Sequence, residues 1–474
     1  MSYLSSYIPE ITSQSRSVKT NWSGINRSLT QDSGELSDAN NVSLREYPFI
    51  SSEKQSRLIW SAPDGHTVVS VHPTGGETYV VITQSEGKLY FHYIADTVKS
   101  LVQTLGDYVE GEVPSVAVFN VYQSTANNIV SATFDRKILL YPYCLSFDPD
   151  DEVPSLKSFN TTGNAVPKLK KVTVMNGRVF GVLDGKFYAS EWNNYAGWRL
   201  NTADDTNSAL AWVSTTQSDV DADGEFTAIV TYDGHVIGFK RNFMHMLYNN
   251  KTPFRIVDVA KIGAISQEAV CVCDQILFFV SDDGVYSFTG GYPNRISDKL
   301  EISSFEGAVL GADDKTLYCY IPSEHRVFTY DTVHNVWGSV DGSPKNCAKV
   351  VNSCYFAKDD GIYSFGSGEN GDFYFATDAS FGGSLAEKKI KRMRFQVLHK
   401  EHKSGDYVTV YITKSDGGFV CQKTFQPQNS GTYVLSMLTR MTCSLGHIIR
   451  VHGRGAWEFR YLQVDYSPGG ENYV

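Results

Sequence analysis

A stretch near the middle of the chain, FFVSDDGVYSFTGG from Phe278 to Gly291, is echoed by CYFAKDDGIYSFGSG from Cys354 to Gly368. Each copy is an apolar run, an Asp-Asp-Gly turn, an aromatic run and glycines, which is the sequence signal of a β-hairpin. Five further segments carry the same signal, so that hairpin turns are expected at Gly87, Arg136, Gly185, Gly234, Gly284, His325 and Gly361, at intervals of 49, 49, 49, 50, 41 and 36 residues. A period of roughly 40–50 residues built from short strands is the mark of propeller blades. One four-stranded sheet cannot bury both its faces, whereas sheets packed radially bury them against their neighbours. The spacing therefore predicts an all-β chain with a β-propeller of about seven blades. EKQSRLIWSAPDG, Glu53 to Gly65, precedes the first hairpin and has the strand character needed to close the ring.

Composition agrees with strands. The 474 residues include 28 Tyr and 26 Phe, and aromatic rings pack well on a pleated surface. A helical exception is expected in ADTVKSLVQTLGD, where Val98, Leu101, Val102 and Leu105 fall at spacings of three, one and three. FDPDDEVPSLKSFNTTGNAVP, Phe147 to Pro167, reads as a long surface loop of the kind that docks partners. The domain plan is an extended N-terminal arm over 1–52, a β-propeller over 53–384 and a C-terminal β-sandwich over 385–474. The last begins with EKKIKRMRFQVLHKEHK, whose alternation reads as a strand with a charged outer face rather than a phosphate site.

The net charge of −10 argues against sequence-specific nucleic-acid binding. No apolar run nears the roughly 18 residues that span a bilayer, and the first residues lack a secretory pattern, so synthesis in a cytoplasm is expected. The eight cysteines show no C-x-x-C; Cys271 and Cys273 alternate in a strand and read as two small apolar residues on one face.

Motifs with chemistry are few. DVDADGEF sets Asp219, Asp221 and Asp223 before Gly224, three carboxylates around a tight turn as calcium requires. Val230 stands where an EF-hand has its bidentate Glu, so an EF-hand is excluded and the choice lies between a simpler Ca2+ loop and an acidic connector. No catalytic nucleophile motif, zinc-protease motif or phosphate loop occurs, and no carboxylate pair stands out, so no enzyme activity and no other cofactor is expected. His399 and His402 are three apart but fall in the basic strand and its turn, where solvated roles are expected. Trp192, Tyr195 and Trp198 in EWNNYAGW could form a stacking platform for a glycan or pack between blades.

Three segments resemble the propeller-bearing tail-hub or packaged-DNA stabilisation proteins of tailed bacteriophages. They are the arm WSGINRSLTQDSGELSDANNVSLREYPFI, the stretch IGAISQEAVCVCDQILFFVSDDGVYSFTGGYPNRISDKLE, and the ending IIRVHGRGAWEFRYLQVDYSPGG. The resemblance implies a virion protein, made in the host cytoplasm, that acts as a multi-copy scaffold at the hub, neck or tip of the tail. Its implied partners are other tail or neck proteins and copies of itself in a ring, and its task the assembly of the tail and the retention or passage of DNA. Trp22, Gly24, Asn26, Leu36 and Asn41 are the arm residues expected to serve assembly, with the arm laid across neighbouring subunits. A receptor- or glycan-binding propeller at the tail tip is the alternative.

Overall fold

The structure is a computed structural model that describes residues 15–28, 34–95, 101–110, 112–121, 135–160, 165–200, 209–214, 224–248, 254–377, 388–415, 420–443 and 446–468. The described chain is all-β, with two short 3-10 turns as its only helical elements. Its strands form repeated four-stranded antiparallel arrays. Unit 1 is Thr67–Gly75, Thr78–Ser85, Lys88–Ile94 and Leu101–Asp107, and unit 2 is Ser115–Val121, Asp135–Tyr141, Leu145–Phe147 and Leu156–Ser158. Units 3, 4 and 5 span 171–213, 228–260 and 270–295 in the same order of strands. Unit 6, over 309–340, is continuous with a ten-stranded sheet. Unit 7 takes Cys347–Val350, Ser353–Lys358 and Gly361–Ser364 from late in the chain and Arg57–Ser61 from before unit 1.

The first strand of each unit lies beside the first strand of the next, and Cys347–Val350 of unit 7 returns to Thr67–Gly75 of unit 1. Each junction between units has its own apolar core. The strand Ile276–Ser281 shows why these strands read as unbroken apolar runs. Leu277 and Phe279 face unit 4 while Phe278 and Val280 face unit 6, since successive side chains of a strand point to opposite faces. Both faces are buried, so no polar alternation survives.

The Asp-Asp-Gly echo repeats its chemistry as well as its shape. The Tyr286 hydroxyl donates to Asp283 at 2.9 Å in unit 5, and the Tyr363 hydroxyl to Asp360 at 2.7 Å in unit 7. The closing strand explains the glycine of the second copy: a Cβ at Gly361 would lie 2.3 Å from the carbonyl oxygen of Trp60. The segment expected to close the ring does supply the outer strand of unit 7, through Arg57–Ser61.

Two of the seven expected turns are displaced. Arg136 lies within the strand Asp135–Tyr141, opposite Asn120, and the tight turn of unit 2 falls at 142–144 instead. Gly234 joins the first and second strands of unit 4, whereas the other turns join second and third; the equivalent turn in unit 4 is Arg241-Asn242. The even spacing of 49 therefore mixes two positions of the repeat. The expected helix is also corrected. Leu101–Asp107 is the fourth strand of unit 1, paired with Lys88–Ile94, while Val98 lies outside the described residues. A bulge opposite Leu89 and Tyr90 adds a residue and breaks the period of two, which leaves apolar spacings that mimic a helix. Likewise Leu156–Ser158, within the expected surface loop, is the fourth strand of unit 2.

Past unit 7, a five-stranded sheet (Leu36–Asn40, Asp372–Thr377, His447–Arg454, Tyr407–Lys414, Val420–Phe425) faces the far part of the ten-stranded sheet. That part comprises Ala456–Pro468, Lys388–Glu401 and Gly431–Cys443. Phe375, Phe395 and Phe459 pack edge to face in the core between them. The layers draw strands from both sides of residue 385, and from the N-terminal segment.

Candidate functional site

The N-terminal segment builds the junction between unit 6 and the C-terminal layers. Ser15–Lys19 pairs with Ala456–Pro468, Leu36–Asn40 pairs with Asp372–Thr377, and Val42–Ser43 and Ile50–Ser52 bridge unit 6 to Ala456–Pro468. The ten-stranded sheet is continuous because these short strands fill the gap.

All five arm residues singled out from the sequence sit in this junction. Trp22 is fully buried, stacked on Phe395 at 6.0 Å and edge-on to Phe375 at 5.9 Å. Gly24 adopts φ +83°, and a Cβ there would meet the Trp337 carbonyl oxygen at 2.6 Å, so only glycine lets the segment lie this close to unit 6. The Asn26 amide donates to the buried Glu35 carboxylate at 2.7 Å, and Lys299 donates to the other oxygen of Glu35 at 2.7 Å. Leu36 is buried in the shared core. The Asn41 amide donates to Asp341 at 2.6 Å and to the Asp372 carbonyl at 2.9 Å, while its own oxygen accepts from the Asp341 backbone N–H. Arg27 pairs with Glu324 and Asp38, and Arg326 with Asp38. The described part of this arm packs within its own chain. It looked aperiodic because isolated bridges to distant strands leave no local period.

The first strands of the units surround an axial cavity of about 260 Å³ with a second of about 390 Å³ beside it. Polar side chains staple neighbouring strands around it. Asn346 accepts from Val71 N at 2.7 Å, Ser115 from Val172 N at 3.0 Å, and Gln267 accepts from Ile229 N at 2.9 Å. The Thr173 and Thr231 hydroxyls join units 3 and 4 at 2.9 Å. Lys170, Lys171 and Lys349 line the first cavity, and Glu268 is the one carboxylate among the described residues lining either. Burial holds the His72 imidazole down to about 4 and neutral beside the Ser70 hydroxyl. The lining is therefore cationic in a chain that is acidic as a whole. Sequence reasoning missed this cluster because Lys170 and Lys171 lie at the start of unit 3 and Lys349 in unit 7, and only closure brings them together.

The aromatic platform is not assembled. Trp198 is buried between units 2 and 3, with its Nε1 donating to the Tyr195 carbonyl at 3.1 Å. Tyr195 packs edge-on to Phe119 and Phe159. Trp192 alone is open, at 55% exposure. Of the two readings of EWNNYAGW, packing between units accounts for Tyr195 and Trp198, because large rings gain more from burial than from display. Asp219, Asp221 and Asp223 lie outside the described residues. Cys271 and Cys273 share one face of a strand near Cys354, and burial pushes the Cys273 thiol up to about 12, as befits core residues.

No protein-family model and no curated protein matches the chain. Among solved structures, the β-propeller domain of Cps50 (Swd1) from Myceliophteria thermophila is 10% identical, with 66% of this chain and 99% of that chain covered and a TM-score of 0.39. The exo-β-1,3-galactanase of Phanerochaete chrysosporium is 12% identical over 93% of this chain and 99% of that one, with a TM-score of 0.26. The Trypanosoma rangeli sialidase is 8% identical over 97% of each chain, with a TM-score of 0.24. Likenesses this remote carry no argument about this chain.

Proposed function

We propose that this chain is a structural component of a bacteriophage tail, a seven-bladed propeller joined to a C-terminal β-sandwich, that serves as a multi-copy scaffold at the hub, neck or tip. The observation that carries the reading is the continuous ten-stranded sheet, in which the N-terminal segment fuses unit 6 to the C-terminal layers. A scaffold must transmit load without hinging, and a shared apolar core with hydrogen-bonded strands across the junction meets that need. Arm residues matching the phage resemblance are the ones that build this junction. Copies would meet as a ring around the tail axis, with other tail or neck proteins as neighbours.

The reading assigns no catalysis to the chain. Glycoside hydrolysis takes two carboxylates flanking the bond, and the axial lining supplies Glu268 alone among its described residues. Hydrolysis of an aryl glycoside by the purified chain, lost in Glu268→Gln, would overturn this part of the reading.

Mass spectrometry of gradient-purified particles tests the whole. Co-migration of the chain with capsid and tail proteins at a fixed ratio, in multiples of three or six, is the expected result. Absence from particles, with the chain soluble alone, refutes the virion reading.

A further inference from the structure

The turn that joins the two C-terminal sheets holds a cluster with a chemistry of its own. His399 lies near the end of Lys388–Glu401, in the ten-stranded sheet, and is fully buried. Asp406, buried, immediately precedes Tyr407–Lys414 in the facing sheet, and His402 is exposed in the turn between them. One ligand atom from each of the three lies within 4.8 Å of the others.

The hydrogen bonds of His399 decide what this cluster can hold. Its Nδ1 faces the Asn429 carbonyl oxygen at 3.2 Å. A carbonyl only accepts, so this contact is a hydrogen bond in the tautomer with the proton on Nδ1. In the neutral ring Nε2 is then a bare lone pair, and it faces the Asp406 carboxylate at 3.0 Å. Two acceptors at that separation repel unless a cation stands between them. The cation is either a second imidazole proton or a metal ion. A proton has no use for a third donor, yet His402 stands within reach. Bonds of about 2.0–2.1 Å in tetrahedral array set ligand atoms roughly 3.3 Å apart, close to the 3.0 Å between His399 Nε2 and Asp406.

The surroundings fix the ligands in the way a metal site requires. The Trp457 ring packs tilted against His399 with centroids 4.2 Å apart, and the Lys403 backbone N–H donates to Asp406 at 2.8 Å. Gly455, at φ +107°, leaves room for the carboxylate, since a Cβ there would meet its Cγ at 2.6 Å. His402, exposed in the turn, lies edge-on to the His399 ring at 5.7 Å.

We infer that His399 Nε2, His402 and Asp406 bind one divalent transition-metal ion of the zinc class, with solvent as the fourth ligand, and so pin the two C-terminal sheets together at this turn. Two imidazoles and one carboxylate suit zinc better than calcium, which takes six to eight oxygens.

Titration of the full chain with Zn2+ against a chromophoric chelator, and with Co2+ followed by visible absorption, tests the site. One ion per chain is expected, with the intense Co2+ bands of a four-coordinate nitrogen–oxygen site. His402→Ala, a change in an exposed turn that leaves the fold intact by circular dichroism, is expected to weaken binding at least tenfold, and Asp406→Asn likewise. Binding that His402→Ala leaves unchanged, or no stoichiometric ion, overturns the inference. So does a nitrogen NMR signature of a doubly protonated His399 that persists at saturating Zn2+, because it assigns the contact with Asp406 to a proton.

Discussion

Trp22 and Gly361 show how single side chains hold distant parts of this chain together. Trp22 fills a cavity between the two C-terminal sheets, so Trp22→Ala is expected to cost about 3–5 kcal/mol, read as a lower urea midpoint. At Gly361 a methyl group would strike the Trp60 carbonyl at 2.3 Å. Gly361→Ala should therefore detach the closing strand, seen as faster amide exchange in Arg57–Ser61 and Gly361–Ser364 and little change in units 3 and 4. Buried histidines set the pH response. Burial holds His72 and His92 down to about 4 from 6.5, with the His66 ring adding to the effect at His92. The folded chain keeps both neutral where the unfolded chain takes up protons. Stability is whole above pH 6.5 and falls as pH drops towards 4, by up to about 3 kcal/mol per site. Thermal midpoints across that window should fall with pH, and His92→Gln should flatten the slope.

At the scale of elements, what was legible depended on where the hydrogen-bond partners lay. The paired runs around Gly87, Gly185, Gly284, His325 and Gly361 are local hairpins, and a short turn between two apolar runs is written in one short stretch. The fourth strands were harder. Leu101–Asp107 and Leu156–Ser158 follow longer connections, and they are strands because an adjacent edge has unpaired groups to satisfy. Their own patterns, a bulged apolar spacing and a proline-rich polar run, speak for other structures. The N-terminal strands are the extreme case, since each pairs hundreds of residues away. Removal of residues 1–52 should therefore unpair unit 6 from Ala456–Pro468. The expected outcome is an aggregating or protease-sensitive C-terminal region, checked by limited proteolysis with mass mapping.

Taken whole, the molecule is a ring of sheets whose ends meet and a pair of layers built from both ends of the chain. The candidate sites belong to this scale. Lys170, Lys171 and Lys349 converge only because unit 7 returns to unit 1. Asn41 meets Asp341 and Asp372 only because the N-terminal segment threads between them. His399 and His402 are three apart in sequence, and that spacing was visible, but exposure in a charged strand and turn was the natural reading. Burial of His399 beneath Trp457, with Asp406 brought against its ring, changes what the cluster can do.

The sequence by itself determined the all-β character, the repeat and the segment that closes the ring, because aromatic-rich strands and Gly-centred turns are chosen by short-range sterics and hydrogen bonding. Tertiary structure alone decided the phase of the repeat in units 2 and 4, the strand over Leu101–Asp107, the burial of Tyr195 and Trp198, and the arm's docking within its own chain. Those outcomes turn on which distant edge or core is left unsatisfied once the local hairpins have formed, and no neighbouring residue carries that information.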